Sequence, residues 1–507
     1  MSLAVEMCSI VKEYPNVLAN DRACLFVEEG EIHGLIGENG AGKSTMMNIL
    51  YGLAKPDAGQ IKIFGREVQI SSPEKAINLG ISMVHQHFML MPNLSVLQNI
   101  ILGRAPARAG FINKKAAVAQ IEEIMATYGL NMDLSSKIYQ LSVGEMQRVE
   151  IVKALYRNAK IIILDEPTAV LTPQETDRLM EVLLKLKEQG KSIIFITHKL
   201  REVMAITDRI TAMRKGVVTG NANKSETSMQ ALSMMMVGRE VDLSLPRGDF
   251  APGGPVLEVS GLSALNQRGL PALRDLHFSV RGGEVVGIAG VEGNGQTELA
   301  EAISGLLKPT AGSVKLDGEE ISRCSVRRRR KKGMSHVPED RLKVGTAKDR
   351  TIMENLIINR YYQAPYTRYG VMNNQALLAL AEEMRETFRV KTPDTLRPLS
   401  SLSGGNMQKV VFTREIETDP HLLIAAQPTR GVDIGAIEEI HKTILALRDA
   451  GKAILLISAE LDEILSLSDR ILVMYEGRLA AEFERGEADE KLIGEYMTGA
   501  KHGGKGR

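Results

Sequence analysis

The chain repeats itself once, and that repeat limits its folds more than any other feature. GLIGENGAGKST, from Gly34 to Thr45, matches GIAGVEGNGQTE, from Gly287 to Glu298, at an offset of 253 residues. Gln86 in MVHQ meets Glu339 in HVPE at the same offset. LSVGEMQRV from Leu141 matches LSGGNMQKV from Leu402 at 261, and DEPT from Asp165 matches AQPT from Ala426 at 261 again. Separate blocks kept in one order mean duplication, and the period is far too long for a stacked solenoid, so each copy is a complete domain. The change of offset predicts an eight-residue insertion in the second copy between Glu339 and Leu402. The join falls in LPRGDFAPGGP, rich in Gly and Pro, which predicts domains at 3–241 and 256–499, a linker at 242–255 and a tail at 500–507.

Within each copy short apolar runs alternate with amphipathic stretches, as in Ile161 to Glu166, Pro173 to Gln189 and Ser192 to Thr197. Buried parallel strands separated by helices follow, with a site at the strand ends, so the fold class is α/β. Lys114 to Tyr128 reads as a helix with no strand beside it, which predicts a helical subdomain between Gln86 and Leu141. Lys+Arg 63 against Asp+Glu 62 gives a net charge of +1, which argues against nucleic-acid binding through a global basic field. The run RRRRKK, Arg327 to Lys332, reads as a solvated helix face rather than a phosphate or lipid patch. Cys8, Cys24 and Cys324 are too scattered for a disulfide framework and read as small buried hydrophobes. No signal peptide or membrane-spanning run is expected, so the chain reads as cytoplasmic and at most peripheral to a membrane.

The first copy carries a phosphate-binding pattern. Gly37, Glu38, Asn39, Gly40, Ala41, Gly42, Lys43 and Ser44, followed by Thr45, fit GxxxxGK[ST] between an expected strand at Ile32 to Ile36 and a helix from Ser44 to Leu50. The glycines let backbone N–H groups turn toward phosphates at a helix N-terminus, Lys43 bridges the β- and γ-phosphates, and Ser44 binds Mg²⁺. Four apolar residues lead into Asp165 and Glu166. One carboxylate is thereby placed for Mg²⁺ and the next as the base that polarises an attacking water. His198 ends the following strand within reach of a γ-phosphate, and Gln86 ends another within reach of both Mg²⁺ and water. Tyr14, on the leading β segment, is a candidate for stacking on adenine, with sheet packing as the competing role.

These residues resemble the ATP-binding cassette family over nearly the whole chain, and LSVGEMQRV and LSGGNMQKV look like its signature. The resemblance implies two tandem P-loop nucleotide-binding domains, each with a mostly parallel sheet core, an antiparallel β segment and a helical subdomain. It also implies that each ATP lies between one domain's phosphate loop and the other's signature. At the positions of Lys43, Asp165, Glu166 and His198 the second copy has Gln296, Ala426, Gln427 and Ala459, so hydrolysis there is not expected. Its signature residues Ser403, Gly404 and Gly405 are intact, with Asp433 after AQPT. The first copy has Ser142, Val143 and Gly144, with Thr172 matching Asp433. Crossing the halves as the family does joins every intact part in one ATP site, from Lys43 to Ser403, and leaves the other poor on both sides.

The fused domains, VPEDR and QPTRGVD look like ATPase subunits of bacterial simple-sugar and nucleoside importers, and IAAQPTRGVD resembles the nucleoside branch served by basic-membrane-protein-like lipoproteins. The resemblance then implies ATP and Mg²⁺ as cofactors and two integral-membrane permease subunits as partners, with one chain supplying both cassettes. A solute-binding lipoprotein is an indirect partner, no nucleic acid is expected, and the location is the cytoplasmic face of the inner membrane. The segment after Gln86, with Met89, Leu90, Met91 and Leu94, is expected to line a groove for a permease helix, against the alternative of subdomain core. The competing function is a soluble tandem-cassette ATPase acting on ribosomes, but such factors usually have a long charged linker and acidic pairs in both halves.

Overall fold

Runs such as Ile161 to Leu164, apolar on both faces, can be satisfied only inside a covered parallel sheet. The computed structural model describes residues 2–15, 17–85, 88–108, 111–168, 171–239, 248, 252–291, 293–388, 390–432 and 434–501. The chain divides into two units, Met1–Val241 and Asp242–Arg507. Most of the expected linker, and the tail beyond Lys501, lie outside the described residues.

The first unit is built on a six-stranded sheet in the order Val217–Asn223, Arg209–Arg214, Ile32–Gly37, Ser192–Thr197, Ile161–Asp165, Ile81–Val84. Its strands are parallel except for the edge strand Val217–Asn223. A four-stranded antiparallel sheet holds Val17–Glu28, Leu3–Tyr14, Ala58–Ile63 and Arg66–Glu67. One core packs between the two sheets around Leu35, Met46 and Ile163, and a second joins the main sheet to the helices around Phe195, Val152 and Ile121. The second unit repeats both strand orders, with Met334–Val337, Leu422–Ala426, Ala453–Ser458, Val285–Ala289, Arg470–Tyr475 and Arg478–Glu484 in its main sheet.

The helix expected at Lys114 to Tyr128 spans those residues and, with Val96–Ile101 and Val143–Tyr156, forms the helical part of the first unit. Its counterparts are Ile352–Ile357, Asn374–Thr387 and Gly404–Ile416. Capping residues match in pairs: Ser95 with Thr351, Asn113 with Asn373, Ser142 with Ser403. Their offsets are 256, 260 and 261, so the eight extra residues are not one insertion but are spread over three connections, where loops absorb length at little cost. The helices keep their lengths because each start is fixed by a side-chain cap.

Two expectations fail. The three cysteines are free but only half buried, and Cys24 Sγ accepts a hydrogen bond from the Ser9 amide at 3.1 Å. The basic run, in the helix Val326–Lys331, is not simply a solvated face. Arg329 is buried and donates to the carbonyls of Ala302, Ile303, Ser322 and Cys324 at 2.6 to 3.1 Å, closing the end of the helix Gln296–Ser304. Arg330 binds the fully buried Glu415 through both carboxylate oxygens at 2.7 and 3.2 Å, and Arg414 Nε reaches the same carboxylate at 2.9 Å. Burial alone raises the Glu415 carboxyl, yet Arg414 and Arg330 outweigh it and hold the group ionised. In the first unit the matching positions are Ala76, Ile77, Lys153 and Ala154, and Lys153 pairs instead with Glu150 at 3.2 Å, so the two arginines on one glutamate are a feature of the second unit. Backbone carbonyls and a partner distant in sequence, neither visible in a charge run, decide the difference.

His336 stands beside this network where the first unit has Met83. Burial pushes its imidazole down to about 4, with Arg330 and Arg414 adding to the shift against Glu415. An unfolded chain protonates a histidine near 6.5, so between that pH and about 4 unfolding takes up a proton that the folded unit refuses. The associated stability is complete above 6.5, lost as pH falls through 4, and worth roughly 3 kcal/mol. Urea unfolding across this range should show a shallower acid dependence for His336→Met than for the wild type; equal slopes would remove His336 as the cause.

Candidate active site

The strand Ile32–Gly37 is buried throughout and lies between two parallel neighbours. It delivers the loop from Gly37 to Gly42 to the carboxyl edge of the sheet. Gly42 has φ 101° and caps the helix Lys43–Leu50, and a Cβ there would lie 2.3 Å from the Ala19 carbonyl oxygen. Only glycine fits that turn. The carbonyl of Gly42 accepts from the buried Asn20 amide at 3.2 Å, a brace that sequence reading missed. The first-turn N–H groups of the helix are thus aimed out of the loop, as an anion requires. Lys43 is buried, and its ammonium donates to the carbonyls of Gly37 at 2.7 Å and Glu38 at 3.0 Å. Burial pulls its pKa down, against Glu166, Asp165 and Glu38, which raise it. Glu38 and Thr45 are half buried, Ala41 is buried, and Asn39, Gly40 and Ser44 are exposed.

The acid strand Ile161–Asp165 ends at the same edge. Asp165 Oδ2 accepts from Ser44 Oγ at 3.3 Å, joining two segments 121 residues apart. A hydroxyl beside a carboxylate is the hard-oxygen set that Mg²⁺ uses together with substrate phosphates. Among the described residues no cluster of His, Cys, Asp and Glu holds a metal alone, so these two residues fit an ion that shares its ligands with a nucleotide. Burial and the neighbouring Glu166 raise the Asp165 carboxyl, which makes a nearby cation favourable.

Glu166 takes a left-handed φ of 48°, and its amide donates to the Ile196 carbonyl at 2.9 Å. Its Oε1 lies 3.0 Å from His198 Nδ1. Burial raises Glu166, but the His198 hydrogen bond and charge, with Lys43 and Lys199, lower it below the usual carboxylate range. An ionised Glu166 requires His198 Nδ1 to be the donor, leaving Nε2 as an acceptor in the neutral ring. Gln147, buried in the signature helix, donates to the Pro167 carbonyl at 2.8 Å and holds the turn after Glu166. Gln408 donates to the Pro428 carbonyl at the same distance in the second unit. Both glutamines stand inside the repeated signature blocks, the signal that could have found them.

Tyr14 stands 41% exposed at the end of its strand, with Lys12 Nζ 5.4 Å from the ring centroid, so it is not a packed sheet tyrosine. Gln86 and Asp433 lie outside the described residues. Ser403 caps the helix Gly404–Ile416, and its Oγ accepts from Asn406 Nδ2 at 3.0 Å. A Cβ on Gly404 would lie 3.0 Å from the Arg341 guanidinium, and Gly405 follows it half buried. Ser142 caps its own helix in a box with Glu145, and a Cβ on Gly144 would lie 2.3 Å from Glu175 Oε1. One signature therefore has an arginine beside it and the other two carboxylates, a difference in sign that matters to any phosphate. Thr172 is spent on capping the helix Pro173–Glu188. In the second unit Gln296 and Ala426 hold the Lys43 and Asp165 positions, while Gln427 keeps φ 49° and accepts from the Ala459 amide at 3.2 Å.

The chain is 47% identical over 507 residues, covering 100% of itself and 99% of the relative, to the guanosine import ATP-binding protein NupO of Bacillus subtilis (strain 168). It is 46% identical, over 98% of the chain and 96% of the relative, to the glucose import ATP-binding protein TsgD13 of Haloferax volcanii. It is 44% identical, covering 98% of both, to the nucleoside import ATP-binding protein NupA of Lactococcus lactis subsp. cremoris. Among solved structures it resembles RNase-L inhibitor in fold, with TM-score 0.61 and 19% identity over 94% of this chain and 90% of that one. The sequence pattern of the ABC transporter family matches residues 21–169 and again 273–430, and the chain belongs to that family.

Proposed function

We propose that the chain hydrolyses ATP to power a membrane importer of nucleosides or simple sugars. What carries the reading is the gathering of Lys43, Ser44, Asp165, Glu166 and His198 at one sheet edge, in a chain whose relatives over nearly its full length are named import ATP-binding proteins. The domains run 3–241 and 256–499, with 242–255 as linker. The loop from Gly37 to Thr45 holds the phosphates, with Tyr14 on the adenine. Ser44 and Asp165, with Gln86, hold Mg²⁺, which would supply positive charge against the β- and γ-phosphates. Glu166 orients the attacking water by accepting its hydrogen bond, and His198 fixes that carboxylate through Nδ1. For His198 to donate to a γ-phosphate oxygen as well, its ring must be the imidazolium. In the crossed pairing that the family resemblance implies, Ser403, Gly404, Gly405 and Asp433 would serve the ATP bound at Lys43. The likeness to RNase-L inhibitor, at 19% identity, speaks for fold alone and adds nothing to a ribosomal role.

The partners are two permease subunits, with a solute-binding lipoprotein beyond them, and the chain works at the cytoplasmic face of the membrane. No described helix is long and apolar enough to cross a membrane. Support for docking comes from the segment after Gln86. Met89 and Met91 are 65% and 55% exposed, while Leu90 packs on the core and Leu94 is half buried. Buried Asn99 clamps the segment by exchanging hydrogen bonds with the Met91 amide and carbonyl at 2.7 and 3.2 Å. Asn355 does the same for Ala347 at 2.8 and 2.9 Å, near the exposed Leu342 and Val344. Exposed apolar side chains on a rigid loop suit a permease helix.

Glu166→Gln should lower ATP hydrolysis by at least ~10²-fold while ATP binding survives, and retained turnover would remove Glu166 as base. Ser403→Arg should abolish hydrolysis by the assembled complex as fully as Lys43→Ala, whereas Ser142→Arg should cost much less. The opposite order in steady-state ATPase would refute the crossed pairing, and severe loss from both would mean that closure needs both sites. Met89→Asp should uncouple transport with basal ATPase and melting temperature unchanged; a drop of several degrees would assign Met89 to the core instead.

A further inference from the structure

The second unit keeps the shape of the phosphate loop while changing the charges around it. Gly295 caps the nine-residue helix Gln296–Ser304 with φ 104°, and a Cβ on it would lie 2.6 Å from the Ala272 carbonyl oxygen. Gln296 Nε2 donates to the Val291 carbonyl at 3.1 Å, the counterpart of the Lys43 bond to Glu38. An amide has replaced an ammonium without opening the loop, and the helix still presents its first N–H groups.

The two acids are gone, because Ala426 and Gln427 occupy their places and the side-chain Oε1 of Gln427 accepts from the Ala459 amide. A new carboxylate has entered from the adjoining strand end. Thr297, the counterpart of Ser44, donates to Glu339 Oε2 at 2.8 Å, and Glu339 stands where the first unit has Gln86. Its other oxygen, Oε1, accepts from Arg430 Nη1 at 2.7 Å. Arg341 Nη1 in turn donates to the Arg430 carbonyl at 2.6 Å, which fixes the backbone that carries the guanidinium.

Around the first loop two carboxylates, Asp165 and Glu166, stand at the strand end, where a polyanionic nucleotide adds further negative charge that a divalent ion offsets. Around the second, Arg430 and Glu339 cancel. A divalent ion on Glu339 Oε2 would face a guanidinium across the same carboxylate, and like charges so close repel. A guanidinium offers phosphate oxygens fixed, paired donors without any metal.

We propose that the second unit binds a nucleoside triphosphate with the Arg430 guanidinium standing in for the divalent cation, so that magnesium matters little to its affinity. The proposal rests on the nucleotide-binding reading of both cassettes. It gives the second site the role of holding nucleotide rather than cleaving it, since the positions of both acids are taken by Ala426 and Gln427 and the Glu339 carboxylate is paired with Arg430.

The test uses full-length Lys43→Ala, which disables the first loop, and equilibrium binding of trinitrophenyl-ATP in magnesium and in EDTA. Affinity in EDTA should stay within about threefold of that in magnesium, and adding Arg430→Ala should lower metal-free affinity by about tenfold or more, with Arg430→Lys recovering part. Arg430→Ala with Lys43 intact should still bind nucleotide in magnesium, which shows that it folds. Binding that needs magnesium, no binding in either buffer, or indifference to Arg430→Ala each overturns the proposal. Should Arg430→Ala not fold, the magnesium and EDTA comparison in Lys43→Ala alone decides. Magnesium-dependent ATP hydrolysis by the wild type would separate failure of this proposal from failure of the ATPase reading.

Discussion

Parallel pairing in register is the constraint on which the rest depends. In the first unit Ile36 pairs with Thr197 and Ile196 with Asp165, so three strands end at one level. The residue after each strand, or its last one, then projects from a single edge: the loop at Gly37, the acids at Asp165 and Glu166, and His198. A one-residue slip in any strand would send its terminal side chain to the opposite face. The continuous burial of these strands, rather than any bond within the site, holds that register.

The second unit shows which parts of such a site belong to the scaffold. Gln427 keeps the left-handed turn of Glu166, at φ 49° against 48°, and the hydrogen bond of its amide to the next strand, although no base remains to be aimed. A side-chain residue in that conformation costs roughly 1–2 kcal/mol. Its persistence means that the turn is fixed by the sheet and by the bracing glutamine from the signature helix, so chemistry can be changed there one side chain at a time.

Much of this was legible in the sequence. The duplication, the loop from Gly37 to Ser44 and the apolar run into Asp165 each carry their meaning in local order. The burial of Arg329 and the pairing of Arg330 were hidden because their partners are backbone carbonyls and a glutamate 85 residues away. Spreading of the extra residues over three connections was hidden because the helices between the Gln86 and Leu141 blocks share their caps with their counterparts but no extended matching run of residues. The bracing roles of Asn20 and Gln147 were hidden because a buried amide shows nothing in composition until its acceptor is known. The half-buried cysteines defeat a rule that speaks of averages: Cys24 lies in an edge strand, Cys8 in a strand of the same sheet and Cys324 in a bend outside any strand.

The ion network around Glu415 has a consequence for the history of the gene. Duplicated halves can exchange segments by recombination, but here Arg330 and Glu415 align with Ile77 and Ala154 of the other copy. A crossover between those two positions would leave the Arg330 guanidinium against an alanine, or the buried Glu415 carboxylate with Arg414 alone and an isoleucine where Arg330 stood. The network thus acts as a barrier to homogenisation, keeping the two copies free to diverge in what their sites do.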